Sequence, residues 1–164
     1  MNYRKENNAD LEKLRELGFL SYGQHRQVLA EHWAQMESGL KNDKLYSSLL
    51  ETSKCFICEH ENEIIGMAFL VPSGNPWDVY PADTSYIRLV GVHPAYSGKG
   101  IAKKLTAMCI GEAKELGEKT IMLHTSEFMD AARHIYEGLG FRRIREIGQR
   151  FGKTYYLYCL KLTV

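Results

Sequence analysis

The stretch Val90 to Ala102, VGVHPAYSGKGIA, narrows the fold of this chain more than any other. Isolated glycines at Gly98 and Gly100 permit a tight turn and leave no Cβ between the backbone amides and a ligand. Apolar residues at Ile101, Leu105, Met108, Cys109, Ala113 and Leu116 then recur at helical spacing, and Gly117 stands where a left-handed C-terminal cap belongs. A strand therefore runs into a glycine turn that opens a helix, whose free N–H groups and positive dipole end suit an anion. Two glycines are a weak signal alone, so the absent residues matter. A nucleotide P-loop would place Lys and then Ser or Thr after its last glycine, where Ile101 and Ala102 stand. A dinucleotide fingerprint would need a small residue where Lys103 stands, and an acidic ribose partner about twenty residues on.

With 164 residues, 45% hydrophobic and 25% charged, the chain can bury one sizeable core and is short for two, which predicts a single domain over residues 1–164. A formal net charge of +1 gives no steering toward nucleic acid or an anionic membrane. The opening MNYRKENNADLEK is too polar for a signal peptide, and no run approaches the roughly 18 apolar residues that span a bilayer. A cytoplasmic protein is expected. Cys55, Cys58, Cys109 and Cys159 show no disulfide framework, and Cys55 and Cys58 fall in a strand-like run where residues three apart point to opposite faces. No metal site is assigned to them.

Tyr3 to Lys5 reads as a short strand, followed by a helix that Asn8 can cap and that carries Leu11, Leu14 and Leu17 on one face. Further helical stripes bear Val28, Leu29, His32, Trp33 and Met36, and then Leu45 and Leu49 after a break at Gly39 to Asp43. His25 and His32 share a helical face but have no third ligand beside them. Cys55 to Glu59 and Glu63 to Val71 form a hairpin through His60-Glu61-Asn62. Pro72 to Thr84 holds three of the four prolines and reads as a loop. Its Trp77, Asp78, Tyr80 and Asp83 either wall a substrate pocket, with an acidic component for an amine, or cover a sheet edge. Tyr86 to Val92, the glycine-loop helix and Thr120 to His124 form a right-handed β-α-β unit that sets the loop amides at the strands' carboxyl ends. A helix over Phe128 to Leu139 buries Ala131, Ala132, Ile135 and Leu139 and stops at Gly140. Two closing strands, Phe141 to Ile147 and Thr154 to Leu162, are joined by a turn over Gly148 to Lys153. The Arg142, Arg143, Arg145, Arg150 and Lys153 cluster is diluted by Glu137 and Glu146 and lacks interleaved stacking aromatics, so no nucleic-acid partner is assigned.

The run VHPAYSGKGIAKKL resembles the coenzyme A signature of the GCN5-related N-acetyltransferase (GNAT) family, R/Q-x-x-G-x-G/A, over Ser97 to Ala102, with Ser97 standing for the usual Arg or Gln. AARHIYEGLGF resembles the family's later helix through Ala132, Tyr136, Gly140 and Phe141, with Met129 where Asn is frequent. The order of elements agrees from Tyr3 to the terminal YYLYCLKL strand. The resemblance implies an α/β (α+β) fold: a mixed, mostly antiparallel sheet of six to seven strands, the fourth and fifth parallel, with helices on both faces. It also allows a homodimer.

The activity implied is transfer of an acetyl group from acetyl-CoA to a primary amine by direct attack in a ternary complex, without a metal or membrane partner. Cofactor-binding residues would be Val90, Gly91, Val92, Gly98, Lys99, Gly100, Ile101, Ala102 and Lys103. Gly91 suits a bulge, and strand N–H groups would stabilise the oxyanion. Tyr136 matches the family's general acid. With a thiol near 8.5 and tyrosine near 10, full proton donation is about one and a half units uphill, so a hydrogen bond in the transition state is the role expected. His124 falls where some protein-acetylating relatives carry a catalytic Glu. An imidazole near 6.5 could act as base, with Asp83 or a water chain as alternatives and a structural role equally open. Deprotonating a lysine-like amine at pH 7 costs about 4.6 kcal/mol and an α-amine about 1, so a weak base favours the latter. Trp77, Tyr80 and Asp83 are the substrate-binding candidates. The acceptor expected is a small molecule. A protein N-terminus or lysine, or a non-catalytic acyl-CoA sensor, are the alternatives.

Overall fold

The computed structural model describes residues 1–7 and 9–162. Its strands are β1 (Asn2–Lys5), β2 (Lys54–His60), β3 (Glu63–Val71), β4 (Ser85–Val92), β5 (Thr120–Ser126), β6 (Arg142–Arg150) and β7 (Lys153–Lys161). The helices are α1 (Leu11–Gly23), α2 (Trp33–Leu40), α3 (Asp43–Thr52), α4 (Ile101–Glu115) and α5 (Asp130–Gly138). The strands form one seven-stranded sheet in the order β1-β2-β3-β4-β5-β7-β6. Only β4 and β5 are parallel, as the resemblance implied, and they pair only at Ser85 with Ile121 and Tyr86 with Met122. Beyond Tyr86 they part, and this fork organises the site.

The near-continuous apolar run of β3 fits a strand covered on both faces. Leu105, Cys109 and Ala113 of α4 pack with Ile65, Ala68 and Leu70 on one side. On the other, Leu14 and Leu17 of α1 and Tyr46 and Leu49 of α3 pack with Met67 and Phe69. Cys58 joins the first cluster and Cys55 the second, as strand alternation requires. A Cβ on Gly66 would lie 2.6 Å from Ile101 Cγ2, so β3 receives the first turn of α4 only because Gly66 has none.

Several boundaries differ from expectation. Asn8 lies outside the described residues, and Asp10 holds the N-cap position of α1. The Asp10 carboxylate is taken by the Arg4 guanidinium, at 2.8 and 3.1 Å, and by the Asn7 N–H. Leu11 is exposed while Leu14 and Leu17 are buried. The first hairpin turn is only Glu61-Asn62, both at positive φ. The last hairpin turn is Phe151-Gly152, at φ 55° and 74°, because β6 and β7 stay paired to Arg150 and Lys153. In α5 Ala131 is exposed rather than buried. The β4 bulge is not at Gly91, which pairs with Met67. Leu89 and Val90 together oppose Ala68, with Leu89 at φ 50°.

Candidate active site

Gly98 and Gly100 take φ of 77° and 78°, and Gly100 caps α4 with no side chain closing its first turn. Among the described residues, no protein acceptor meets the six successive N–H groups from Gly98 to Lys103. A Cβ added at either glycine would meet nothing within 4 Å, so the ground before these donors is open. The preceding turn is held by the His93 ring, which accepts the Ala95 N–H, and by the Ser97 hydroxyl, which donates to the Pro94 carbonyl. Ser97 thus shapes the cradle instead of reaching over it. Lys99 and Lys103 are exposed and do not line the cleft that begins here.

That cleft has a volume of about 1090 Å³ and runs from the cradle through the fork toward the β6–β7 hairpin. Small-ligand pockets are commonly about 300–1,000 Å³, so there is room for a long phosphate-bearing ligand and a second small molecule. Val90 and Val92 line it, whereas Gly91 does not. The Val92 N–H donates to Ser21 Oγ of α1 at 3.1 Å. A Cβ on Gly91 would approach Ser21 Oγ and Met67 Cε at 3.2 Å each, so Gly91 permits the close approach of α1. Ser21 was missed in the sequence; its one signal is a polar residue continuing the buried Leu14, Leu17 stripe. Tyr136 projects from α5 into the cleft, its ring edge-on to Phe141 at 6.0 Å. Burial raises its pKa, so the phenol keeps its proton. Tyr22 and Tyr155, also lining the cleft, are pushed in the same direction, chiefly by burial.

The Pro72–Thr84 loop is ordered by its own hydrogen bonds. Ser73 donates its N–H and hydroxyl to Glu118, Gly74 N–H donates to the Ala82 carbonyl, and the Tyr86 hydroxyl donates to the Asn75 carbonyl. Trp77 and Tyr80 exchange backbone bonds of 3.2 and 2.8 Å around a turn in which Asp78 takes φ 54°. The fold-back builds a column of rings, with Tyr80 stacked on Tyr86 at 4.2 Å and on His124 at 5.7 Å. The Tyr80 hydroxyl and His124 Nδ1 share a hydrogen bond of 2.6 Å. Tyr80 is buried behind the cleft wall, while Trp77 and His124 line it. Asp83 is exposed and does not line it, so the acidic residue of this loop that reaches the cleft is Asp78. Asp78 pairs with both guanidinium nitrogens of Arg150, at 2.5 and 2.9 Å.

Burial, reinforced by Arg150 and Arg88 against Asp78, holds the His124 pKa down at about 4. The expected imidazole near 6.5 is therefore not what the fold supplies. His25 and His32 serve different neighbours: His25 packs edge-on to Phe128, and the His32 ring fills the space beside Gly152. Arg88 of β4, not singled out from the sequence, places its guanidinium 3.6 Å from the Trp77 ring centroid and lines the cleft.

The sequence and the fold that carry this site are shared with known proteins. The sequence model of the acetyltransferase (GNAT) family matches residues 14–141. The uncharacterized N-acetyltransferase YjgM of Escherichia coli (strain K12) is 32% identical over 126 residues, covering 73% of this chain and 72% of that protein. PaiA N-acetyltransferase from Thermoplasma acidophilum, solved in complex with coenzyme A, has the same fold, with a TM-score of 0.77 at 16% identity over 98% of each chain. Ribosomal-protein-alanine N-acetyltransferase from Brucella melitensis matches with a TM-score of 0.75 at 20% identity, over 99% of this chain and 100% of that one. On the family match and the YjgM identity, this chain belongs to the acetyltransferase (GNAT) family.

Proposed function

We propose that the protein is an acetyl-CoA-dependent N-acetyltransferase that moves an acetyl group to the primary amine of a small molecule, by direct attack within one ternary complex. The observation that carries this reading is the row of free N–H groups from Gly98 to Lys103 opening onto the fork between β4 and β5. Acetyl-CoA supplies an activated thioester. The Gly98 to Ala102 amides would hold its pyrophosphate, and the unpaired edge of β4 at Val90 its pantetheine arm. The PaiA structure, of the same fold, contains coenzyme A.

The chain's own groups set the proton chemistry. With its pKa raised, Tyr136 keeps its proton beside a leaving thiolate whose conjugate acid lies near 8.5, and it acts by donating a hydrogen bond. His124, at about 4, is far too weak to take a proton from an aliphatic amine of about 10.4. The amine loses its proton to water and enters neutral, which favours amines of low pKa. Among the described residues no cysteine lines the cleft, and burial pushes the Cys55, Cys109 and Cys159 thiols up, so no thiolate faces the cleft to form an acyl-enzyme.

A small acceptor is supported by the Asp78–Arg150 pair, which ties the Pro72–Thr84 loop to the end of the β6–β7 hairpin. The hairpin tip at Gly152 in turn rests on His32. The acceptor half is thus walled by chain segments distant in sequence. Thermal unfolding with and without acetyl-CoA, followed by thiol release across a panel of amines, tests the reading. A raised midpoint with amine-dependent release is expected. A raised midpoint without release on any amine points to a sensor or a protein acceptor, and no shift at saturating acetyl-CoA overturns the assignment.

A further inference from the structure

We propose that the acceptor carries a carboxylate beside its amine, as an α-amino acid does, and that Arg88 is the residue that binds it. This rests on the acetyltransferase reading above and names the substrate class for that site.

Arg88 occupies a special point of the sheet. Tyr86 makes the last β4–β5 pair, and Leu89 begins the bulge, so Arg88 stands where the fork opens. Its guanidinium carbon sits 3.6 Å from the Trp77 ring centroid, and the residue is part-buried in the cleft wall. Among the described residues it makes no hydrogen bond and no ion pair, whereas Arg150, the other arginine lining the cleft, is paired with Asp78. A guanidinium has five N–H donors in a fixed fork that matches a carboxylate. Asp78 lies near enough to act on it but spends its carboxylate on Arg150, and leaving a part-buried guanidinium with no hydrogen-bonded partner is costly unless a ligand completes it. The Trp77 ring holds the guanidinium in place in advance, and Trp77 is itself fixed by its paired backbone bonds to Tyr80.

The carboxylates of the cleft give an independent argument. Asp78 is committed to Arg150, and Asp130 to Arg133. No free carboxylate lines the cleft among the described residues to receive a polyamine or a second ammonium group. The surplus charge is the one cation of Arg88, and it calls for an acceptor that brings an anion. Trp77, Phe151 and Tyr155, which share the cleft with Arg88, suit an apolar side chain on that acceptor.

The test compares the full chain with its Arg88→Gln variant in acetyl-CoA-dependent thiol release. The acceptors are free L-amino acids with apolar side chains, their carboxamides, and spermidine. The wild type is expected to prefer a free acid over its carboxamide by about 100-fold or more in kcat/KM referred to the neutral amine, since the carboxylate makes its amine the more basic one and a part-buried Arg88 is left unpaired by the amide. Arg88→Gln should lower kcat/KM for the acid at least tenfold more than for the carboxamide, chiefly through KM. Its melting temperature and KM for acetyl-CoA should stay near wild type. Equal kcat/KM on acid and carboxamide on that same basis, spermidine as the best acceptor, or an equal loss on both acceptors in the variant would overturn the Arg88 assignment while leaving the acetyltransferase standing. Absence of both acetyl-CoA binding and thiol release overturns both readings.

Discussion

His124 shows how burial redirects a residue whose type suggests catalysis. Its ring sits in the aromatic column with Tyr80, and its pKa falls to about 4 from an ordinary 6.5. The folded state therefore binds this proton less readily than the unfolded chain. Its contribution to stability is complete above pH 6.5 and is lost as pH falls toward 4, by about 3 kcal/mol. Urea unfolding at a series of pH values should show His124→Gln losing less stability than wild type across that window. Parallel curves for the two proteins would refute the depressed pKa. His25, lowered by burial, adds a loss in the same direction that the variant retains. Tyr136 gives the complementary prediction. Removing its hydroxyl in Tyr136→Phe should lower kcat about 10- to 100-fold while leaving the KM for acetyl-CoA within about twofold. Because burial raises its pKa, the wild-type kcat should not fall between pH 7 and 10 through loss of this proton. Both positions were legible in the sequence. The basicity of His124 was not, because Arg88, Asp78 and Arg150, which help set it, come from β4, a loop and β6.

Among the elements, α4 is the one on whose placement the proposed chemistry depends, since its first turn carries the unpaired N–H groups from Ile101 to Lys103. Gly66 of β3 receives that turn, and a methyl group there would collide with Ile101 Cγ2 at 2.6 Å and approach Leu105 Cδ1 at 3.0 Å. Gly66→Ala should cost roughly 1–3 kcal/mol by overpacking. As Ile101 is the first residue of α4, the variant should also bind acetyl-CoA severalfold more weakly in isothermal titration. Unchanged stability and affinity would show that the helix start is not held by β3. The glycine turn, the helical stripe after it and the β-α-β order are all local patterns, and the sequence displayed them. Turn lengths were less legible. Cross-strand pairing carries β6 to Arg150 and β7 back to Lys153, and it leaves Phe151, an apolar residue, in a two-residue turn. The bulge was expected at Gly91 because glycine suits one, but the extra residue is Leu89-Val90 and Gly91 yields room to α1.

At the scale of the molecule, the cleft is assembled from segments that no short window contains. Ser21 meets Val92 across 71 positions, and Asp78 meets Arg150 across 72. The mixed sheet, its one parallel pair and the helices on both faces were implied by the resemblance, but these contacts follow only from the finished fold. The third apolar cluster, Leu29, Trp33 and Leu40 with Phe19, Tyr22, Phe128 and Phe151, joins the α1–α2 region to the hairpin tip around the acceptor half. Among the described residues no thiol lines the space so enclosed, and His124 is too weak a base to relay a proton, which is why the proposed route is direct attack by a neutral amine. Initial rates of thiol release, measured while acetyl-CoA and a reacting amine are varied together, test that route most directly. Intersecting double-reciprocal lines, with no stoichiometric thiol burst before amine is added, are predicted. Parallel lines accompanied by such a burst would reveal an acyl-enzyme and contradict the account.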